Sequence, residues 1–371
     1  MSDDAARTAR TARTARTART ATLRALGADD EVIEALALKL ETSPPGTVAG
    51  RVGRVDRGRF QLLAAGDNIS VATSGVSPVC VGDWCTVSGT PGPGGVTGTY
   101  VLHHLLPRRT ALVRQSSGSR VESQALAANI DTVMVVVPLD RAISRRQIER
   151  FLALAWDSGA RPVLILTKAD LVDGPTAAAS AADVTAVSGE LPVLIASVVT
   201  GAGMDAVRAF VTGGSTVALL GTSGSGKSSL VNALMGADVV QTGDVRQADS
   251  KGRHTTTWRE LVVVPSGGAL IDTPGLRELG MWVDEEGIDA AFADITDLEG
   301  QCRFNDCAHL SEPGCAVLAA IAAGELTPDR LESYRKLLGE AAFAAQKNDN
   351  RLAKEAQKVW KKRTLEGRRK T

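Results

Sequence analysis

A multidomain chain is predicted, with an N-terminal β-barrel, a central α/β domain and a helical C-terminal domain. Three observations predict it. From Gly46 to about Leu106, short β-branched runs are cut by glycine; from about Ile130, apolar strands alternate with helices; and after Gly287 the spacing turns helical around three cysteines and a histidine. At 371 residues the chain exceeds one ordinary domain. Boundaries are expected at 1–45, 46–110, 111–285 and 286–371.

The first unit opens with an Arg-Thr-Ala repeat over residues 7–19. A period of three holds no apolar face on a 3.6-residue helix, so a disordered basic arm is expected. Helical spacing follows in Leu23, Leu26, Val32, Ile33, Leu36 and Leu40, and Ser43-Pro44-Pro45-Gly46 stops it. In the second unit, strands are expected at Thr47–Val55, Phe60–Leu63, Ile69–Val71, Trp84–Val87 and Val96–Leu102. Five short strands suit a small barrel of the oligonucleotide-binding (OB) kind, with a ligand-free β sandwich as the alternative. Cys80, Cys85, His103 and His104 in this unit are expected to pack or hydrogen-bond rather than ligate a metal.

In the third unit, strands are expected at Asp131–Val137, Arg161–Leu166, Leu191–Ala196 and Ser215–Leu220, with a pair at Leu261–Val264 and Ala269–Ile271. Helices are expected around Arg145–Asp157 and Met204–Phe210 and from Lys227. This alternation implies a largely parallel sheet whose ligand loops gather at the carboxyl ends of the strands. In the last unit, a charged helix from about Pro328 runs into a basic tail, where Lys354, Lys358, Lys361 and Lys362 can share one face.

Composition narrows the class. The chain is 44% hydrophobic and 23% charged, which argues for a folded protein despite 37 glycines. No apolar run reaches the ~18 residues of a membrane span, and no signal-peptide core precedes the first unit, so a cytoplasmic protein without membrane contact is expected. Five cysteines, three of them in one window, suit a metal site or free thiols better than an extracellular disulfide framework. Forty-two basic residues balance forty-two acidic ones, yet residues 1–19 carry +3 and residues 346–371 carry +7. The body between is therefore acidic.

The sharpest motif is Gly221-Thr222-Ser223-Gly224-Ser225-Gly226-Lys227-Ser228, between an apolar strand and a helix. Glycines there let successive N–H groups converge on phosphate oxygens, Lys227 supplies charge to the β and γ phosphates, and the Ser228 hydroxyl can ligate Mg²⁺. Downstream, an apolar strand delivers Asp272, placed to hold a Mg²⁺ water, and then Gly275, whose N–H would sense the third phosphate. Between them lies Lys251-Gly252-Arg253-His254-Thr255-Thr256-Thr257; Thr256 is the expected Mg²⁺ ligand, with Thr255 and Thr257 as alternatives.

Thr167-Lys168-Ala169-Asp170 follows another apolar strand. A carboxylate there can accept from guanine N1–H and N2–H, a donor pair adenine lacks, while the Lys168 stem covers the base. Ser197 heads a loop that could turn N–H groups toward guanine O6. Cys302, Cys307, His309 and Cys315 offer three thiolates and an imidazole within fourteen residues, enough for a closed tetrahedral Zn²⁺ site, with free buried thiols as the alternative.

Together these are the nucleotide-binding motifs of GTPases in rotated order, the base-reading loops preceding the phosphate loop. The chain therefore resembles the circularly permuted GTPases. With a barrel before and a Cys/His cluster after, it resembles the RsgA family over roughly residues 45–345. The resemblance implies guanine reading by Lys168 and Asp170, a second base loop at Ser197, a phosphate loop from Gly221 to Ser229, a first switch at Thr255 to Thr257, a second at Asp272 to Gly275, and one structural zinc. It further implies a monomeric GTP hydrolase that binds the small (30S) ribosomal subunit and 16S rRNA in late maturation, with hydrolysis stimulated by the subunit and driving release.

Two departures qualify the match. Thr167 stands where GTPases at large carry Asn, which removes a loop-bracing amide and lowers the expected base affinity. Leu276 stands where Ras-like enzymes place a water-orienting glutamine, and an apolar side chain cannot orient water. His254 is expected to take that role, with a plain loop hydrogen bond as its alternative. A P-loop ATPase or small-molecule kinase would share Gly221–Ser228 but have no use for Asp170; a non-catalytic GTP-controlled RNA-binding module would bind nucleotide without turnover.

Overall fold

The structure is a computed structural model and describes residues 17, 19–64, 68–73, 79–90, 99–115, 123–237, 260–272, 285–343 and 346. The arm before residue 17, the segment 251–257 with His254 and Thr256, Gly275, and the basic tail beyond 346 lie outside the described residues.

The apolar spacing of residues 23–40 reads as one helix, and the structure breaks it. Residues 19–25 are helical, Gly27 turns into the left-handed region at φ +96°, and a new helix, Asp30–Glu41, starts beneath Asp29. The Asp29 carboxylate accepts from Val32 N at 2.9 Å, the N-cap bond that makes the restart favourable. Periodicity survives the break because Leu23, Leu26, Val32 and Leu36 all pack into one cluster with Ala49 and Trp84.

Five strands then form the barrel: β1 (Val48–Asp56), β2 (Arg59–Ala64), β3 (Asn68–Ala72), β4 (Trp84–Thr90) and β5 (Thr99–Leu105). β1 pairs with β2 and β4, β2 with β3, and β4 with β5, all antiparallel, and β3 lies against β5. Val52, Phe60, Leu62, Val71 and Val87 fill the interior together with Cys85 and Tyr100. Cys80 is also buried, and His103 Nε2 lies 2.5 Å from Ser88 Oγ.

The central sheet is built from β8 (Thr132–Pro138), β9 (Arg161–Thr167), β10 (Val193–Ile195), β11 (Thr216–Leu220), β12 (Glu260–Val263) and β13 (Ala269–Asp272). Its order is β10-β9-β8-β11-β13-β12; the first five are parallel and β12 is antiparallel to β13. Every residue of β8 and β11 is buried, which is why these strands read as continuous apolar runs rather than alternating ones. Among the described residues, the pairing of Arg54 with Glu260 joins this sheet to the barrel.

Two elements escape the sequence reading. A hairpin of β6 (Ala111–Gln115) and β7 (Ser123–Ala128) precedes the sheet. The Gly174–Ser188 helix fills the gap between β9 and β10; its alanines blur the periodicity, although Asp173 caps it through Thr176 N and Pro175 sits in its first turn.

Helices Glu285–Ala291, Ala293–Glu299 and Ala316–Ala323, with residues 328–343, form the C-terminal part. Buried Arg330 ties it to the Arg145–Asp157 helix. It donates to Glu149 at 3.0 Å, to both Asp294 oxygens and to Ala291 O, and lies 4.1 Å from the Phe292 ring centre. Buried Arg51 joins the other three parts, donating to Leu26 O, Gly82 O, Asn129 O and Thr216 Oγ1. No helix among the described residues is long and apolar enough to cross a membrane.

Candidate nucleotide site and metal cluster

The carboxyl ends of β8, β9, β10, β11 and β13 share one edge of the sheet, so the loops that leave them are neighbours. β11 ends at Leu220 and runs into the Gly221–Ser228 loop. A side chain at Gly221 would stand 2.5 Å from Val136 O, while Gly224 and Gly226 hold φ of +70° and +92°. Only glycine fits these backbones without strain. The Lys227–Met235 helix starts where the loop ends, with Ser228 and Ser229 half-buried in its first turn.

Lys227 is buried, and its ammonium donates to Gly221 O at 2.7 Å, Thr222 O at 2.6 Å and Ser225 Oγ at 3.2 Å. It therefore lies within the curve of its own loop. Ser223 and Gly224 form the exposed crest. β13 brings the Asp272 backbone alongside, because Ala218 pairs with Ile271 in the parallel register of β11 and β13.

β9 delivers Thr167, Lys168, Ala169 and Asp170 to the same edge. The Thr167 hydroxyl donates to Ser225 O at 2.6 Å, so the brace expected to be lost with the Asn amide is supplied by a hydroxyl. Lys168 takes a left-handed φ of +61°, and its ammonium donates to Asp140 Oδ2 at 2.6 Å. Asp170 sits in the Ala169–Leu171 turn, where Oδ1 accepts from Ser197 Oγ at 2.5 Å. Ala169 N donates to Ala196 O, which ties the β9 and β10 loops together. Thus Thr167 bonds directly to the phosphate loop, Asp170 to Ser197, and Lys168 to Asp140.

Asp140 and Arg141 enter the site unannounced by any motif. They follow Pro138 at the carboxyl end of β8, and that position alone marks them as site residues. The Lys168 ammonium holds the Asp140 carboxyl below the usual carboxylate range, against a smaller opposing effect of burial.

At the far end of the chain, Cys302, Cys307, His309 and Cys315 each offer a ligand atom, all within 4.8 Å of one another. His309 turns Nδ1 toward the sulfurs, 3.3 Å from Cys315 Sγ, and its Nε2 lies 3.1 Å from Glu299 Oε1. The Tyr334 hydroxyl, with one proton to donate, lies 3.2 Å from the same Glu299 oxygen and 3.3 Å from Asp289 Oδ1. Burial raises the Cys302 thiol, but hydrogen bonds from the Ala316 and Val317 N–H groups and from the Cys315 and Cys307 thiols together bring it below its ordinary value. Three thiols and one imidazole this close suit a four-coordinate metal ion.

Comparison with known proteins gives the family. The family model described as RsgA GTPase matches residues 105–282. A curated relative, the small ribosomal subunit biogenesis GTPase RsgA of Streptomyces avermitilis, is 48% identical over 330 residues, covering 87% of each chain. The chain belongs to the RsgA family. The RsgA of Streptomyces coelicolor is 47% identical over 353 residues, covering 93% of this chain and 94% of its own. Among solved structures, YjeQ from Thermotoga maritima aligns with a TM-score of 0.60 at 27% identity, covering 80% of this chain and 99% of its own. YloQ, titled a circularly permuted GTPase, aligns with a TM-score of 0.57 at 24% identity over 80% of this chain and 96% of its own, a likeness of fold. Membership of RsgA makes the chain a GTP hydrolase, and the rotated loop order is that of a circular permutation.

Proposed function

We propose that this chain binds GTP with Mg²⁺ at the shared carboxyl edge of its sheet and hydrolyses it on the small ribosomal subunit during late maturation. The observation that carries the reading is the bond from Thr167 in the β9 loop to Ser225 in the phosphate loop, with Ser197 of the β10 loop bonded in turn to Asp170. Separated stretches of chain thereby meet at one edge of the sheet.

Asp170 accepts from guanine N1–H and N2–H with the lone pairs that Ser197 leaves open, and the Lys168 stem, anchored at Asp140, lies over the base. Amides of the phosphate loop cradle the phosphates, and Lys227 exchanges its loop carbonyls for β and γ oxygens. Ser228, Thr256 and Asp272 hold Mg²⁺, whose charge offsets that of the triphosphate. His254 orients the attacking water, and the Gly275 N–H senses the third phosphate. One Zn²⁺ held by Cys302, Cys307, His309 Nδ1 and Cys315 crosslinks the C-terminal part; the donor set and its 4.8 Å spread support that fit.

The relatives are named for small ribosomal subunit biogenesis. The barrel and the basic ends, +3 at residues 1–19 and +7 at residues 346–371, suit contacts to 16S rRNA. A cytoplasmic monomer is the working state. GTP turnover measured with each purified ribosomal subunit at several salt concentrations tests the reading. Stimulation by the small subunit that fades with salt is expected; equal rates with the small subunit, the large subunit or neither would contradict it.

A further inference from the structure

Two residues after β8 link the opposite ends of the nucleotide site. Arg141 reaches the outside of the phosphate loop, donating from Nη2 to Gly224 O at 3.0 Å and from Nη1 to Ser223 O at 3.4 Å. Its Nε donates to Asp140 Oδ1 at 3.3 Å, while Asp140 Oδ2 accepts from Lys168 Nζ at 2.6 Å. A cation–carboxylate–cation relay thus runs from the loop that faces the phosphates to the loop that faces the base.

Peptide geometry gives the relay a consequence. In a planar trans peptide, the carbonyl and the following N–H point in opposite directions. Holding Ser223 O and Gly224 O therefore turns the N–H groups of Gly224 and Ser225 to the opposite side of the loop, where the Ser225 N–H donates to Thr222 O at 3.3 Å. Consecutive amides facing one side are what a phosphate cradle consists of. A guanidinium spans two such acceptors with its rigid fork, whereas an ammonium is a point donor. The fit is close, since a Cβ at Gly224 would stand 3.1 Å from Arg141 Nη2.

We infer that Asp140 and Arg141 are positioning residues for the guanine nucleotide. Arg141 presets the amides of the phosphate loop, and Asp140 couples that setting to Lys168. The inference rests on the reading of the Lys227 and Asp170 pocket as the GTP site. Both residues act through the loops, and Arg141 is half-exposed, so a merely structural role would register in stability rather than in nucleotide affinity.

The test is binding of fluorescent GDP with Mg²⁺ to the full chain, as wild type, Arg141→Ala, Arg141→Lys, Asp140→Asn and the Asp140→Asn/Arg141→Ala double variant, with thermal unfolding of each in the absence of nucleotide. Arg141→Ala is expected to weaken GDP about tenfold, the scale of losing a charge-assisted hydrogen bond, with its unfolding midpoint unchanged. Arg141→Lys is expected to recover less than half of that loss on a logarithmic scale. The double variant is expected to bind no more weakly than Arg141→Ala, because the relay acts as one unit. Wild-type affinity in Arg141→Ala, full rescue by lysine, or additive losses would each overturn the inference while leaving the pocket intact. A wild-type protein that bound no GDP would overturn the pocket and the inference together.

Discussion

The hydroxyl of Thr167 donates to the carbonyl oxygen of Ser225 across 2.6 Å, joining two loops that lie 58 residues apart in the chain. Thr167 is 4% exposed and Ser225 is fully buried, so water cannot replace the bond. The loop at the end of β9, proposed to read guanine, and the Gly221–Ser228 loop at the end of β11 are thus held at a fixed separation, with β8 between them. That separation decides whether one nucleotide can touch both. Rotation of the motif order along the chain does not disturb it, because the pairing of parallel strands sets where the loops meet.

Thr167→Val keeps the shape but leaves a buried carbonyl without this donor. Stability is expected to fall by about 1–3 kcal/mol, and GDP affinity is expected to fall with it. Chemical denaturation and nucleotide titration of the same variant check both; unchanged affinity would mean that the brace does not set the pocket.

Arg330 holds the C-terminal helices on the Arg145–Asp157 helix through Glu149, whose other oxygen, Oε2, has no hydrogen-bond partner among the described residues. Arg330→Ala strands that carboxylate, so a loss of about 3–5 kcal/mol is expected from removing one partner of a buried pair. Replacing both, as Glu149→Leu with Arg330→Met, is expected to cost less than the single change. Urea unfolding orders the two variants.

The Glu299 carboxylate fixes which His309 nitrogen faces the cysteines. One Zn²⁺ per chain is expected by metal analysis, and chelation is expected to lower the unfolding temperature. Glu299→Gln is expected to weaken zinc about 10–100-fold in competition with a chelator, the range seen when an outer partner of a metal-bound His is removed. Unaltered zinc affinity would assign Glu299 to packing alone.

Asp140 carries a pH dependence of defined sign. Lys168 lowers its carboxyl in the folded protein, so the contribution of this pair is fully present above the ordinary carboxylate value and is lost as pH falls through the lowered one. GDP affinity is expected to be insensitive to this group from about pH 5 to 8 and to weaken through it only below about pH 4. A weakening centred at pH 6, present in wild type and absent in Asp140→Asn, would contradict the assignment.

Much of this architecture is legible in the sequence because burial on both faces writes itself as apolar runs. β8, β9 and β11 are marked in this way, and so is the phosphate loop, whose glycines are required by positive φ and by the approach of Val136 O. The Gly174–Ser188 helix is harder to read, since alanine is neutral in any periodicity, and only the Asp173 cap and Pro175 betray it. The break at Gly27 is hidden because both helical pieces feed the same cluster. Asp140 and Arg141 lie beyond motif reading altogether. Their part in the site comes from the register that sets β8 between β9 and β11, a long-range fact that no local pattern encodes.

The most direct measurement is nucleotide preference in Asp170→Asn. If Asp170 and Lys227 embrace one guanine nucleotide, the variant is expected to lose GTP binding and turnover and to gain both with xanthosine triphosphate, whose base offers an acceptor where guanine offers an amine. Retention of wild-type GTP preference, with no gain for the xanthine nucleotide, would contradict the shared pocket.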